Sequence, residues 1–251
     1  MKINRIEKIE DFLKSEKTAS LDKLCEIFGV SKNTIRRDVT ELENRGFIKK
    51  VYGGIMLKET DIPEPFESRE IKHKTQKKIV AKLANDLIVD GDVIYIDSGT
   101  TTMHLVPFLE SHSGLTIITV NLYVINAARD YPKLNIISPG GVFYPPSNAF
   151  VGPSIIRFLE DYNISKTFFA STGVSLHKGV ANASPLEAEI KSYLIKKSNT
   201  NILLVDSSKI DGASLMKYCD IKDLDYFVTD QTPPDEYISY FNEHKIKLIT
   251  K

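Results

Sequence analysis

The chain has 251 residues, 42% hydrophobic and 26% charged, with 33 Lys plus Arg balancing 33 Asp plus Glu. That composition supports a buried core and excludes a disordered or uniformly basic chain, and the length fits one large α/β unit or a small domain plus a medium one. Cys25 and Cys219 lie 194 positions apart with no CxxC spacing, which excludes a disulfide framework or a zinc finger as organising feature. No apolar run of about 18 residues occurs, and the first turns of chain are too charged for a signal peptide. The expectation is a cytoplasmic protein without a membrane segment.

Ile3, Ile6, Ile9, Phe12 and Leu13 recur at helical spacing, for a first helix ending near Ser15. Ser20 is a good N-cap for a short second helix with Leu21, Leu24, Cys25 and Phe28 on one face. Gly29 permits a left-handed end with Val30 buried behind it. Ser31 caps a third helix over 32–44, with Ile35, Val39 and Leu42 inward and Gly46 as its stop. Residues 47–52 and 55–57 read as strands joined at Gly53-Gly54. The polar stretch 59–67, with Pro63 and Pro65, breaks the periodicity and reads as a linker. A long amphipathic helix follows to about Ile88. Beyond it, strands at 93–96, 116–119, 134–137, 167–171, 202–205, 227–229 and 247–249 alternate with helices at 101–110, 122–129, 154–160, 185–197 and 236–244. Such alternation predicts a mostly parallel sheet with helices on both faces. The domains are then a winged helix–turn–helix over 1–58, a linker and helix start over 59–75, and an α/β domain over 76–251.

Charge is concentrated where the helices are. Residues 1–28 hold six basic and six acidic residues, whereas 29–58 hold seven basic residues (Lys32, Arg36, Arg37, Arg45, Lys49, Lys50, Lys58) against three acidic ones. Two short helices joined by a turn containing Gly29 fit a DNA-binding helix–turn–helix, whose second helix enters the major groove. Ser31, Lys32, Asn33, Thr34, Arg36 and Arg37 then face the bases and flanking phosphates, with Ser20 at the start of the preceding helix. Arg suits guanine and Asn adenine, and Arg36 and Arg37 point about 100° apart, so one reads bases while the other grips phosphate. Lys49, Lys50 and Tyr52 form the wing.

The run from Val30 through Val39, Leu42-Glu43, Gly46 and Gly53-Gly54 resembles the DeoR family of bacterial transcriptional regulators. The resemblance extends through 97–102, Phe150-Val151-Gly152 and 206–209, nearly the full length. Tyr52 stands where the family commonly has His, and Ile55 where it has Ala. Within the family, Lys49, Val51, Tyr52, Gly53 and Gly54, residues 65–69 and Asn242-Glu243-His244 are most similar to the myo-inositol catabolism repressors.

A second constellation lies at the end of the first strand of the α/β domain. Asp97, Ser98, Gly99, Thr100, Thr101 and Thr102 lead from strand into helix, where a tight turn, hydroxyls and free N–H groups suit a phosphate. Gly140 and Gly141, Ser171 and Gly173, and the 206–209 loop with Lys209 sit at other strand ends, where ligands of open α/β sheets bind. Ser184, Pro185 and Glu187 make a capping box, a role that can coexist with ligand binding by Glu187. Lys191 could reach a phosphate or pair with Glu187 at i,i+4. The family resemblance implies a sensor related in fold to ribose-5-phosphate isomerase that binds a phosphorylated sugar or sugar acid. Here Val120-Asn121 stands where the family has Asn-Ser, and Thr172 where it often has Asp.

The rival reading, a sugar-phosphate isomerase with a DNA-binding appendage, would cast Glu187 and Lys209 as base and acid. It lacks a plausible carboxylate at Thr172 and any His in the predicted pocket loops. The sequence therefore reads as a non-enzymatic transcriptional repressor, with no metal or cofactor. Its partners would be double-stranded operator DNA and a phosphorylated sugar or inositol catabolite. It would act as a homodimer or homotetramer, because one small module buries limited DNA surface.

Overall fold

A computed structural model describes residues 2–44, 48–51, 53–57 and 64–251. The basic Arg45 and Lys58, the expected helix stop at Gly46, strand start at Phe47, wing residue Tyr52 and residues 59–63 of the expected linker lie outside these. The chain divides into two units, Met1–Asp61 and Ile62–Lys251.

In the first unit, α1 (Lys2–Glu16), β1 (Thr18–Ser20), α2 (Leu21–Phe28), α3 (Lys32–Asn44), β2 (Ile48–Val51) and β3 (Gly54–Leu57) follow in order. Ile6, Ile9, Leu13, Leu24, Ile35, Val39, Leu42, Ile48 and Ile55 form its core, the same faces that the helical spacing selects. Gly29 ends α2 in the left-handed region at φ 61. The expected two-stranded hairpin is a three-stranded sheet, because β1 pairs antiparallel with β3. Gly54 is what permits that approach: a Cβ there would lie 2.3 Å from the Ala19 carbonyl oxygen. On α3, Asp38 is buried and accepts two hydrogen bonds from Arg5 of α1, from Nε at 2.7 Å and Nη2 at 3.1 Å.

The second unit opens with α4 (Phe66–Ile71) and α5 (Lys74–Asn85). The single long helix expected here is broken at His73, whose backbone is left-handed at φ 52, so α4 turns away before α5 begins. Then follow β4 (Val93–Ile96), a 3-10 turn (Thr102–Leu105) continuing as α6 (Val106–Leu109), β5 (Thr116–Thr119), α7 (Leu122–Ala127) and β6 (Asn135–Ile137). The hairpin β7 (Val142–Tyr144) and β8 (Ala149–Val151) leads to α8 (Pro153–Glu160) and β9 (Lys166–Phe169). Next come β10 (Gly173–Ser175), β11 (Gly179–Asn182), α9 (Pro185–Lys197), β12 (Thr200–Leu204) and β13 (Met216–Cys219). The unit closes with β14 (Tyr226–Val228), α10 (Asp235–His244) and β15 (Lys247–Ile249).

Seven of these strands form one sheet in the order β15-β14-β12-β9-β4-β5-β6, every neighbouring pair parallel. Alternate residues feed opposite faces. Tyr95, Ile118, Phe169, Leu203 and Phe227 pack with α8, α9 and α10, while Ile94, Ile96, Ile117, Phe168 and Ile202 pack with α5, α6 and α7. The chain runs outward from β4 through β5 to β6, then returns to β9 and runs the other way. The topological switch therefore lies between β4 and β9, where ligands of such sheets bind. A smaller antiparallel sheet, β10-β11-β13, lies in segments that the periodicity does not mark. Among the described residues, no helix is long and apolar enough to cross a membrane.

Removing Arg5 leaves the buried Asp38 carboxylate without its guanidinium. Arg5→Met should lower the stability of the first unit by about 2 kcal/mol, read from its denaturant unfolding midpoint. An unchanged midpoint would show that Asp38 finds another donor.

Candidate nucleic-acid interface and ligand cleft

In the first unit, Ser20 caps α2 by accepting the Lys23 N–H at 3.1 Å. Ser31 takes the Thr34 N–H at 3.3 Å and shares a hydrogen bond with its hydroxyl at 3.0 Å, which fixes the start of α3. Lys32, Asn33, Arg36 and Arg37 are exposed along that helix, and Arg36 and Arg37 have no side-chain partner among the described residues. Lys32 pairs with Asp22 at 2.6 Å and Lys50 with Glu43 at 2.5 Å, both at exposed positions. Such pairs contribute at most about 1 kcal/mol and can be exchanged for phosphate oxygens. Lys49 is exposed on β2. A groove of about 590 Å³ between α2, α3 and the wing is lined by Lys32, Arg36, Thr40, Lys50 and Gly53. Of the basic residues predicted for DNA contact, Lys32, Arg36 and Lys50 thus line one groove.

In the second unit, a narrow cleft of about 80 Å³ opens at the switch point. Of the predicted residues it brings together Gly99, Thr100, Thr101, Ser171, Glu187, Lys191 and Lys209. Glu64, Arg69, Lys72, His73, Lys77, Ala170, Thr172, Asn182 and Ala183 complete the lining. Gly140, Gly141 and Gly173 do not line it. Gly141 packs by Val151, and Gly173 lies so close to Gly212 that a Cβ would come within 2.6 Å of its carbonyl carbon. Asp97, Ser98 and Thr102 are buried beneath the lining.

Several expected roles change. Thr102 is fully buried and donates its hydroxyl to the carbonyls of Asp97 and Gly99, at 2.8 and 2.9 Å, so it shapes the loop instead of facing a ligand. The helix expected over 101–110 begins at Thr102 as a 3-10 turn and continues as α6 to Leu109. Gly99 does not need a left-handed conformation. It is required for space, since a Cβ would lie 2.1 Å from that of Ala170. Asn121, fully buried, donates to the carbonyls of Asp97 and Gly99 at 3.3 and 3.5 Å and supports the same loop.

Lys191 does not pair with Glu187. It meets Asp97 at 2.7 Å, and its ammonium also donates to the Ala170 carbonyl at 2.8 Å and to Asn182 Oδ1 at 3.2 Å, which uses its three protons. Only half of the expected capping box forms. Ser184 accepts the Glu187 N–H at 3.4 Å, but the Glu187 carboxylate turns to Ser98 Oγ at 2.5 Å and Asn182 Nδ2 at 3.1 Å. That buried carboxylate has hydroxyl and amide donors but no paired cation among the described residues, and it lines the cleft.

Lys209 is the expected cation of the cleft, whereas Arg69, Lys72 and Lys77 carry no signal in the sequence. Lys77 looks like one of many lysines on an amphipathic helix, yet it is 3% exposed. Its ammonium donates to the Arg69 carbonyl and to Thr100 Oγ1, the latter at 3.0 Å. Burial pushes its pKa down to about 8, Asp206 opposes that, and the positive charges of Lys209 and Arg69 push it lower. His104, also buried, is pushed down to about 4 by burial and by Lys77, Lys78 and Lys74, and is neutral near pH 7. Among the described residues no cluster of three or more His, Cys, Asp or Glu could hold a metal ion.

Residues 5–61 match the DeoR-like helix-turn-helix domain and residues 72–231 match the DeoR C terminal sensor domain. The class is a DNA-binding regulator with an attached sensor, and the chain belongs to the DeoR family of transcriptional regulators. It is 41% identical to the HTH-type transcriptional regulator IolR of Bacillus subtilis (strain 168), over 99% of each chain. It is 28% identical to the L-fucose operon activator of Haemophilus influenzae, over 98% of each. Among solved structures, ribose 5-phosphate isomerase A from Methanocaldococcus jannaschii aligns with a TM-score of 0.42 and 18% identity, over 55% of each chain.

Two outcomes test these assignments. Lys191→Met should destabilise the second unit by about 3–5 kcal/mol, by leaving Asp97 buried and unpaired, and Asp97→Asn in the same chain should recover part of the loss. A Lys that is harder to protonate when folded makes the folded state bind fewer protons than the unfolded chain between pH 8 and about 10.5. Stability should therefore rise with pH across that window in wild type relative to Lys77→Met. Parallel stability curves would place the ammonium in water.

Proposed function

We propose that this chain is a cytoplasmic repressor of a carbohydrate or inositol catabolic operon, released from operator DNA by a phosphorylated sugar or inositol catabolite. Residues 1–58 read the operator, and the α/β unit takes the effector in the cleft between β4 and β9. The observation that carries this reading is the polarity of that cleft. Arg69, Lys77 and Lys209 line it with Thr100 and Thr101, Lys72 lines it paired with Glu64 at 2.6 Å, and Glu187, Asn182, Ser171 and Thr172 supply carboxylate, amide and hydroxyl groups. A phosphate suits the first set and ring or chain hydroxyls suit the second. The similarity to IolR and the resemblance to inositol catabolism repressors favour repression and an inositol-derived effector. Operator recognition by two half-sites calls for a homodimer or homotetramer.

The discriminating experiment titrates a panel of phosphorylated and unphosphorylated sugars and inositols against the full-length protein on its operator. A phosphorylated member should release the DNA and, at about 100 times its dissociation constant, add about 2.7 kcal/mol to the stability of the second unit. Gly99→Val should lose both responses while still binding operator, because the added side chain pushes the β4 loop off Ala170. Equal responses from the phosphorylated compound and its parent sugar would refute a phosphate site.

On the DNA side, replacing whichever of Arg36 and Arg37 reads bases by Ala should cost about 1–3 kcal/mol and relax discrimination at one position. The other change should weaken all sequences alike and flatten the salt slope by about one unit. A double Ala variant with wild-type operator affinity in a mobility shift would remove α3 from the groove.

A further inference from the structure

α4 and Lys77 are tied together in an unusual way. α4 has six residues. It is fastened to the rest of its unit by one buried apolar side chain, Phe66, by the Arg69 guanidinium on the Pro146 carbonyl at 3.0 Å, and by the Lys77 ammonium on the Arg69 carbonyl. The same ammonium donates to Thr100 Oγ1 at 3.0 Å. Lys77 is thus the bolt between α4 and the loop that ends β4. It has three protons and two protein acceptors, and it makes no ion pair with a carboxylate among the described residues.

Asp206 and Glu64 act on Lys77 as opposite charges and Lys209 and Arg69 as like ones, Asp206 most strongly, but no carboxylate pairs with its ammonium among the described residues. A buried cation without a paired carboxylate gains from an anion placed against it. The amides of Thr100 and Thr101 beside it donate to no protein acceptor among the described residues.

We propose that the effector's phosphate is held by Lys77 together with Arg69, and that this anion clamps α4 onto the end of β4. The inference rests on reading the cleft as the effector site. It adds which cations take the anion and what the anion does. α4 is joined through residues 58–65 to the DNA-binding unit, so the occupant of the cleft acts on the segment through which the two units are linked. Lys191, saturated by Asp97, Ala170 and Asn182, takes no part in anion binding.

The test uses the full-length protein and inorganic phosphate as probe, against chloride at matched ionic strength, with ribose 5-phosphate and ribose as further arms. Phosphate should slow hydrogen exchange of residues 64–77 at least fivefold in wild type. Lys77→Met should raise the apparent Kd for phosphate at least tenfold and abolish the slowing, and Lys77→Arg should keep part of both. Arg69→Met, at a half-buried position, should raise the Kd several-fold, and it serves as the second variant if Lys77→Met folds poorly.

Unchanged phosphate affinity in both variants, phosphate binding that leaves exchange at 64–77 unaltered, or no phosphate binding by wild type would each overturn the clamp. A response to ribose 5-phosphate but not to phosphate, retained in Lys77→Met, would overturn it while leaving the cleft as an effector site. An operator complex that no phosphorylated sugar or inositol releases would instead remove the effector reading.

Discussion

Asp97 and Lys191 face each other at 2.7 Å, with no more than 4% of either side chain exposed. A pair this deep adds little net stability, because both ions surrender their hydration to form it. Its consequence is geometric. Asp97 ends β4 and also accepts the Ala170 N–H at 2.9 Å from the end of β9, while Lys191, on α9, reaches the Ala170 carbonyl and Asn182 at the end of β11. The end of β4 is therefore held in register with β9, β11 and α9, about seventy or more residues further along the chain, at the switch point. The rest of the cleft follows from that constraint. With β4 and β9 drawn together, only glycine fits at position 99. With Lys191 committed to Asp97, Glu187 one turn earlier on α9 is left to Ser98 and Asn182 and turns toward the cleft.

The resulting site is divided by the origin of its charges. Glu187 and Asn182 come from α9 and β11, packed against the sheet and bound into the Asp97–Lys191 network. Apart from Lys191, the site's cations come from α4 and the residue after it, α5 and the loop after β12, with Glu64 pairing Lys72 there. Lys209 sits on a single 3-10 turn that Asp206 caps, and Arg69 belongs to a helix of under two turns. The side chains suited to hydroxyls are thus on rigid elements, and several of those suited to an anion are on short ones. Short elements with few buried apolar anchors are where a protein opens and closes at low free-energy cost.

What could be read in the sequence follows the range of the interactions. The helix–turn–helix is legible because caps, periodicity and the Gly29 turn are local signals; Ile6, Ile9, Leu13, Leu24, Ile35, Val39 and Leu42 are buried as expected, while Phe12, Leu21, Cys25, Phe28 and Val30 are only partly buried against them. The seven parallel strands were legible as apolar runs separated by helical ones. The strands that periodicity does not mark, β1, β7, β8, β10, β11 and β13, have three or four residues each, too few to show an alternation; β7–β8 and β10–β11 are short hairpins, and β1 and β13 exist because a distant strand pairs with them. The break at His73 was hidden because its left-handed backbone is carried by a residue that is not glycine. The partner of Lys191 is not legible because a local i,i+4 candidate, Glu187, is visible in sequence, whereas Asp97, 94 positions away, is not. Lys77 is hidden for the converse reason: lysine on an amphipathic helix usually faces solvent, and only the fold buries it.

The two basic surfaces of this chain solve opposite problems. On α3 and the wing, the cations are exposed, and Lys32 and Lys50 rest on exposed carboxylates at 2.6 and 2.5 Å. Bringing them to a polyanion therefore costs little desolvation, and affinity comes from releasing counterions, a term that salt erodes and that any sequence satisfies. Discrimination is left to the few groups that reach base edges. In the cleft, Lys77 has already lost its hydration, so an anion arriving there gains an interaction that water no longer screens. A ligand shifts a regulator only through its different affinities for the two states, and each tenfold change in operator affinity needs about 1.4 kcal/mol of such difference. Exposed, screened pairs worth under about 1 kcal/mol are poor sources for it. A buried cation whose partners sit on a loosely anchored helix can supply it from one or two contacts.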